Sequence, residues 1–390
     1  MLWQQYIFSR GDEVNELWDG LFSSRDVRVL YITGRGFDVR AQAVMRSFVH
    51  GCKSTAQSIA SANLLLVDFA GYELSGELQA MTGENAAELI RLFSAIGPSD
   101  TVSIGFSAGG EDDISASNAL RIGADNILKR VQGYTDVVLD VSTLPRVVYV
   151  TLMTRLLEKL IADKEAPDAL VANGVNLQML VAEDPALDAL IQPEDPSNDL
   201  ILIPGFAAPL QVESVRDWPF VWFPILGENR VTQFQKIMDA AVPIFAEICP
   251  VLPHPSRNPR RADQLLMEYK KPLFDSRQTP TSNILYAHEA HPFEAYRQLL
   301  RAMDRYRKSM SLVGGCRLVV TPLGSKLITL GASLACYEMR PKLMNANYGV
   351  AIPYAEPRRY VASPKDISTS QPEICSLLLT GEAYAKRVPV

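Results

Sequence analysis

The sequence has no apolar run approaching 18 residues, which argues against a membrane-spanning helix. Its opening stretch, MLWQQYIFSRGDEV, is charged by the tenth residue and lacks an apolar h-region, so a secretory signal is not expected and a cytoplasmic protein is. Basic charge is also short: 38 Lys and Arg stand against 44 Asp and Glu, a net charge of −6. That balance argues against bulk nucleic-acid binding and leaves room for a small basic pocket. The five cysteines (Cys52, Cys249, Cys316, Cys336, Cys375) form no CxxC pair, so buried free thiols are expected. Histidine is limited to four residues, and neither short-period repeats nor low-complexity tracts occur.

What is present is a chain of 390 residues, 47% hydrophobic and 21% charged, long enough for two or three domains with sizeable cores. Apolar, β-branched runs alternate with segments of helical period almost throughout. Strands are expected at 27–33, 63–70, 101–106, 136–141 and 175–182, with helices near 38–49, 83–96, 115–131 and 145–164. The polar stretch IQPEDPSNDL (191–200) carries two prolines and reads as a linker. Alternation then resumes with strands at 200–204, 220–226, 244–252, 283–289, 316–321 and 348–354, and helices near 230–242, 259–271, 293–309 and 325–337. This pattern predicts an α/β protein of two Rossmann-like, doubly wound lobes with mainly parallel sheets, over 1–192 and 199–362, and a C-terminal extension over 363–390.

In doubly wound sheets ligands bind beyond the carboxyl ends of the strands, so the loops following strands are where chemistry is sought. In TGRGFDVRA (33–41), Gly34 and Gly36 permit close backbone approach, and Arg35 and Arg40 offer charge to an anion. Asp38 is a natural helix N-cap; an ordinary capped turn and a ligand loop both remain open. In LDVSTLPR (139–146), Asp140 ends an apolar strand, where a carboxylate holds a ribose or ties down turn amides. In YAHEAHPFE (286–294), His288 and His291 are three residues apart. They are candidates for a general base, with Asp140 as a further catalytic candidate; no complete metal-ligand set accompanies them, and helix capping is the competing reading.

The most suggestive corner is TPLGSK. Thr321 ends a strand, and Gly324, Ser325 and Lys326 open a helix whose Leu327, Leu330 and Leu334 fall on one stripe. A helix start presents free amides and about half a positive charge, so a lysine there is unfavourable unless an anion is near. Gly331, in the middle of that helix, predicts close packing against a strand. The order Gly-Ser-Lys is not a Walker A loop. The stretch resembles the T-x-G-[ST]-K turn of CARF domains, the Rossmann-like sensors of cyclic oligoadenylates in prokaryotic immunity, with two residues between Thr321 and Gly324 instead of one. That resemblance implies a nucleotide-phosphate pocket at the helix start and a sensor or regulatory role in defence.

Further along, Tyr354, Glu356, Arg358, Arg359 and Tyr360 mix aromatic and charged groups suited to a base or phosphate, or to an exposed edge. SRNPRRADQ (256–264) is a smaller basic cluster near His254 that reads as a solvated helix start. Gly105-Phe106-Ser107-Ala108-Gly109 matches the letters of a nucleophile elbow, but acidic and polar residues follow where an apolar helix should begin. The leading expectation is binding of a nucleotide or other phosphorylated small molecule at Gly324–Lys326, closed by Gly34–Arg40 or Tyr354–Arg358. No cofactor is identified. The alternatives are a two-lobed transferase or hydrolase, similar in architecture to GT-B glycosyltransferases, and a scaffold whose RDWPFVWFP stretch (216–224) meets a protein partner or a second copy.

Overall fold

The computed structural model describes the chain except residues 24, 55–58, 71, 106–115, 342–348 and 388–390. The Ser107 motif therefore lies outside the described residues. The chain divides into two compact units, Met1–Ile191 with Val361–Val390, and Gln192–Tyr360. Both are α/β with mainly parallel, Rossmann-like sheets. No described helix is long and apolar enough to cross a membrane.

The first unit holds β1 (Ile7–Arg10), β2 (Val27–Gly34), β3 (Ile59–Ala70), β4 (Ser99–Gly105), β5 (Asp136–Asp140), β6 (Asn176–Glu183) and a C-terminal strand, Glu373–Thr380. Their order is β1, C-terminal strand, β6, β5, β2, β3, β4. Strands β2 to β6 pair in parallel, whereas the C-terminal strand runs antiparallel to both β6 and β1. Strands β5 and β6 are buried along their whole length, as parallel strands covered on both faces must be. Tyr31 on β2 packs against Phe48 and Phe93, fixing helices Arg40–Ser54 and Gly76–Phe93 to one face. The residues expected as an extension thus supply a strand to this sheet. β1 and the helix Glu13–Phe22 were not expected either.

In the second unit all core strands are parallel: β7 (Phe220–Ile225), β8 (Glu247–Ile248), β9 (Val251–Pro253), β10 (Leu285–Ala287), β11 (Arg317–Pro322) and β12 (Val350–Ala351). The order is β10, β9, β7, β11, β12, with β8 also pairing β7. Adjacent residues of β7 point to opposite faces. Trp222 stacks on Phe234 of helix Val231–Ala241, and Phe223 meets Tyr306 of helix Pro292–Ser309, so helices cover both faces. The run 244–252 becomes two short strands because Pro250 interrupts it, and Ile244 and Phe245 are left exposed. The linker residues Gln192–Pro196 pair with Pro357–Val361 in a two-stranded ribbon.

Helix Lys326–Met339 lies against helix Pro292–Ser309, and Gly331 is the reason they can close. A Cβ at 331 would sit 2.0 Å from the Pro292 carbonyl oxygen, so the close neighbour is a helix and not the strand expected.

Candidate functional site

Each sheet has one point where the chain reverses its direction of winding. In the first unit it lies between β2 and β5, and it is closed by the chain itself. A Cβ at Gly34 would meet Thr143 and Leu144 at 2.9–3.0 Å, and one at Gly36 would stand 3.0 Å from the Thr143 carbonyl oxygen. The Thr143 hydroxyl donates to the Gly34 carbonyl at 2.7 Å. Asp140 is fully buried there, accepting from the Tyr31 hydroxyl at 3.0 Å and the Ser142 amide at 2.9 Å. Burial pushes its carboxyl up to about 6 against these hydrogen bonds. The Arg40 guanidinium is likewise buried, bonded to Asp38 at 2.6 Å and Asp188 at 2.7 Å, and Asp38 also accepts the Arg40 amide. Arg35 pairs with Asp68 at 3.5 Å at the surface. Gly34, Arg35, Gly36, Asp38, Arg40 and Asp140 thus form an internally bonded crossing within the first unit, while Gly324–Lys326 belong to the second.

In the second unit the reversal lies between β7 and β11. The backbones after these strands touch: a Cβ at Gly227 would fall 2.2 Å from the Leu323 carbonyl oxygen, and one at Gly324 2.8 Å from Ile225. Two helices start at this point, Val231–Ala241 after β7 and Lys326–Met339 after β11, and neither has an acid in its first turn. Each carries a half-buried cation at its start, Arg230 at the N-cap and Lys326 at the first helical position. Arg230 reaches only the Gln233 amide oxygen, at 3.3 Å, and neither cation has a carboxylate partner among the described residues. Ser325 caps the later helix by accepting the Ile328 amide, leaving the Lys326 and Leu327 amides without a partner among the described residues. One turn in, Thr329 is fully buried and its hydroxyl has no hydrogen-bond partner among the described residues. It shares a face with Ser325, and helical side chains tilt toward the N-terminus.

The neighbouring loops are fixed by one buried guanidinium. Arg261 forms a fork with Glu228, with 2.7 Å from Nη2 to Oε2, and pairs with Glu289. The other Glu289 oxygen accepts the Arg257 amide at 2.8 Å. Loops after β7, β9 and β10 are thereby joined. Glu268 accepts the Asn229 amide at 2.9 Å, and burial raises its carboxyl above the usual range. The carboxylates Glu228, Glu268 and Glu289 are therefore all engaged within the chain.

Other expected site residues are placed differently. Thr321 is buried and its hydroxyl accepts the Trp222 indole N–H at 2.9 Å. Tyr354 is also buried, beside Gln233, and offers no stacking face. Glu356 is buried, while Arg358 is exposed on the ribbon, 3.7 Å from Asp195. His291 caps helix Pro292–Ser309 by accepting the Glu294 amide at Nδ1, and His288 accepts the Ala290 amide in the same way. Burial holds His291 below its ordinary pKa. Trp222 is core, and Trp218 is half-buried. Arg230, Thr329 and the Arg261 network were not singled out in the sequence; a basic helix start after a strand, as in GENRV, was the available signal for Arg230.

Comparison with protein-family models and with curated proteins returns no match to this chain.

Proposed function

We propose that the second unit binds a phosphorylated small molecule of the nucleotide class at the crevice between the ends of β7 and β11. The observation that carries this reading is the pair Arg230 and Lys326, two half-buried cations at helix starts with no acid in either first turn and no carboxylate partner among the described residues. A cation at a helix N-terminus is unfavourable by about 0.3–1 kcal/mol, and an anion between two of them relieves both. In this reading the Lys326 and Leu327 amides and the Lys326 ammonium hold phosphate, Arg230 reaches it from the other helix, and Thr329 donates its hydroxyl. The likeness of Thr321–Lys326 to the CARF turn points the same way. Both β10-loop histidines spend Nδ1 on backbone amides, which favours a binding or sensing role over general-base catalysis.

A thermal-shift panel of mononucleotides, dinucleotides, cyclic oligonucleotides and sugar nucleotides tests it. A ligand at one hundred times its Kd adds about 2.7 kcal/mol, a shift of about 2–4 °C or less for a chain of this length. The shift is expected in the wild type and lost in Lys326→Ala. An equal shift in both proteins contradicts the assignment.

A further inference from the structure

We infer that the second unit docks on an anionic bilayer surface through two apolar turn tips, Ile244 with Phe245 and Leu312 with Val313, at the edge of its sheet opposite the crevice. None of these residues takes part in the crevice. Strands β8 and β11 flank β7 and all three run parallel, so the segments entering them share one edge. Residues 243–246 lead into β8 and residues 310–315 into β11, and two strand spacings set these entries roughly 10 Å apart. At the tips, Leu312 is 96% exposed, Ile244 91%, Phe245 75% and Val313 60%. Single exposed apolar residues are ordinary; four on two adjacent turns mark an interaction surface.

Hydrogen bonds and packing fix both turns. The Ala246 amide donates to the Pro243 carbonyl at 3.1 Å, and the Arg277 guanidinium donates to the Val242 and Pro243 carbonyls at 3.0 and 2.9 Å. The Gly315 amide donates to the Met310 carbonyl at 3.0 Å, and a Cβ at Gly315 would meet the Trp218 ring at 2.7 Å. Polar tips would close the same turns, so the fold itself gives no reason for apolar ones. Charge names the occupant. Residues 305–317 carry Arg305, Arg307, Lys308 and Arg317 and no acid, in a chain whose net charge is −6. Asp304, just before them, is shared by Arg307 at 2.8 Å and Lys308 at 2.6 Å, and Arg305 is exposed. The other acids of this edge are Glu247, which accepts the Asn283 side-chain amide at 2.6 Å, Glu213, 3.5 Å from Arg216, and Asp217, which acts on Arg317. Cations in a last helical turn favour the helix C-terminus, which accounts for Arg307 and Lys308 but not for the uncovered leucine and valine beyond them. A second copy seated two-fold on this surface would set the same cations against each other. An anionic bilayer attracts them, and its interface receives projecting side chains without a matching groove. The chain then lies on the membrane; no described helix is long and apolar enough to cross it.

Flotation of the full chain with vesicles tests this, using phosphatidylcholine alone and an equal mixture of phosphatidylcholine and phosphatidylglycerol. The wild type is expected to bind the mixed vesicles about tenfold or more tightly than the neutral ones, with the difference shrinking as salt is raised. Phe245→Ser/Leu312→Ser is expected to lose binding to both, and Arg305→Glu/Lys308→Glu to lose the preference for the anionic mixture. Arg305→Lys/Lys308→Arg is expected to keep that preference, as is Leu190→Ser, which alters an exposed leucine of the first unit. All the substituted side chains are exposed, and the thermal midpoint of each variant reports its fold. Equal binding to the two vesicles, or binding unchanged in Phe245→Ser/Leu312→Ser, overturns the inference. So does absence from both vesicle fractions, which makes an acidic protein the occupant to test. A dimer in sedimentation velocity that the double serine variant abolishes overturns it too, in favour of a second copy. The crevice reading is untouched by any of these outcomes.

Discussion

Arg261 shows how much one side chain organises at the edge of the second sheet. Its guanidinium satisfies Glu228 and Glu289, and Glu289 in turn holds the turn at 254–260. Replacing it with alanine removes the cation that both carboxylates share, and one of those carboxylates is buried. Removing one member of a buried ion pair costs about 3–5 kcal/mol. Urea unfolding of Arg261→Ala, followed by tryptophan fluorescence, is expected to show a loss of that size; a loss under ~1 kcal/mol means the loops hold without it. Asp140 gives a prediction of opposite sense. Its folded pKa, about 6, lies above the ordinary carboxylate value of 3.8, so the native state binds the proton more tightly than the unfolded chain does. The destabilisation is complete above about pH 6 and is relieved as pH falls toward 4. Two pH units correspond to on the order of 3 kcal/mol. Between pH 7 and 4.5, Asp140→Asn is expected to lose this contribution to the pH dependence of stability. An unaltered profile means that Asp140 titrates as it does in the unfolded chain.

At the scale of elements, the parallel strands and most helices were legible because burial on both sheet faces writes apolar runs, and one-sided helices write a 3.6-residue period. The run VVL within β5 and the leucine stripe of Lys326–Met339 are such cases. The strand Glu373–Thr380 was equally apolar, but its place depends on an antiparallel pairing about 200 residues distant, which local pattern does not encode. The same holds for the candidate site. Gly324, Ser325 and Lys326 were visible as a helix start with a misplaced cation, whereas Arg230 gains meaning only once β7 and β11 are neighbours. The bond from Trp222 to Thr321 was not legible, because a threonine at a strand end does not announce its partner in sequence. Gly331→Ala tests the helix pair: the new methyl meets a backbone carbonyl at 2.0 Å, which cannot rotate away. Overpacking of this kind costs typically 1–3 kcal/mol, so a lowered Tm is expected. A rise in Tm, as helix propensity alone predicts, contradicts the contact.

At the scale of the whole molecule, the first unit is closed by residues from both sides of the second in sequence. The C-terminal strand stands between β1 and β6, and the indole of buried Trp3 donates to Leu379 at 3.0 Å. A chain ending at residue 360 leaves β1 without its partner strand and uncovers the edge of β6. Limited proteolysis of that truncated chain is expected to spare a fragment near 192–360 and to digest the remainder. Protection of residues 1–191 in its place means the first sheet is complete without its last strand. The second unit is continuous in sequence, and the phosphate-binding crevice proposed for it uses only its own residues. Backbone amide shifts in the 15N-labelled protein test that proposal most directly, with the nucleotide that gives the largest thermal shift as probe. Phosphate at the helix start predicts the largest changes at Gly324–Leu327 and smaller ones near Arg230. Changes confined to other loops, with Gly324–Leu327 unmoved, contradict it.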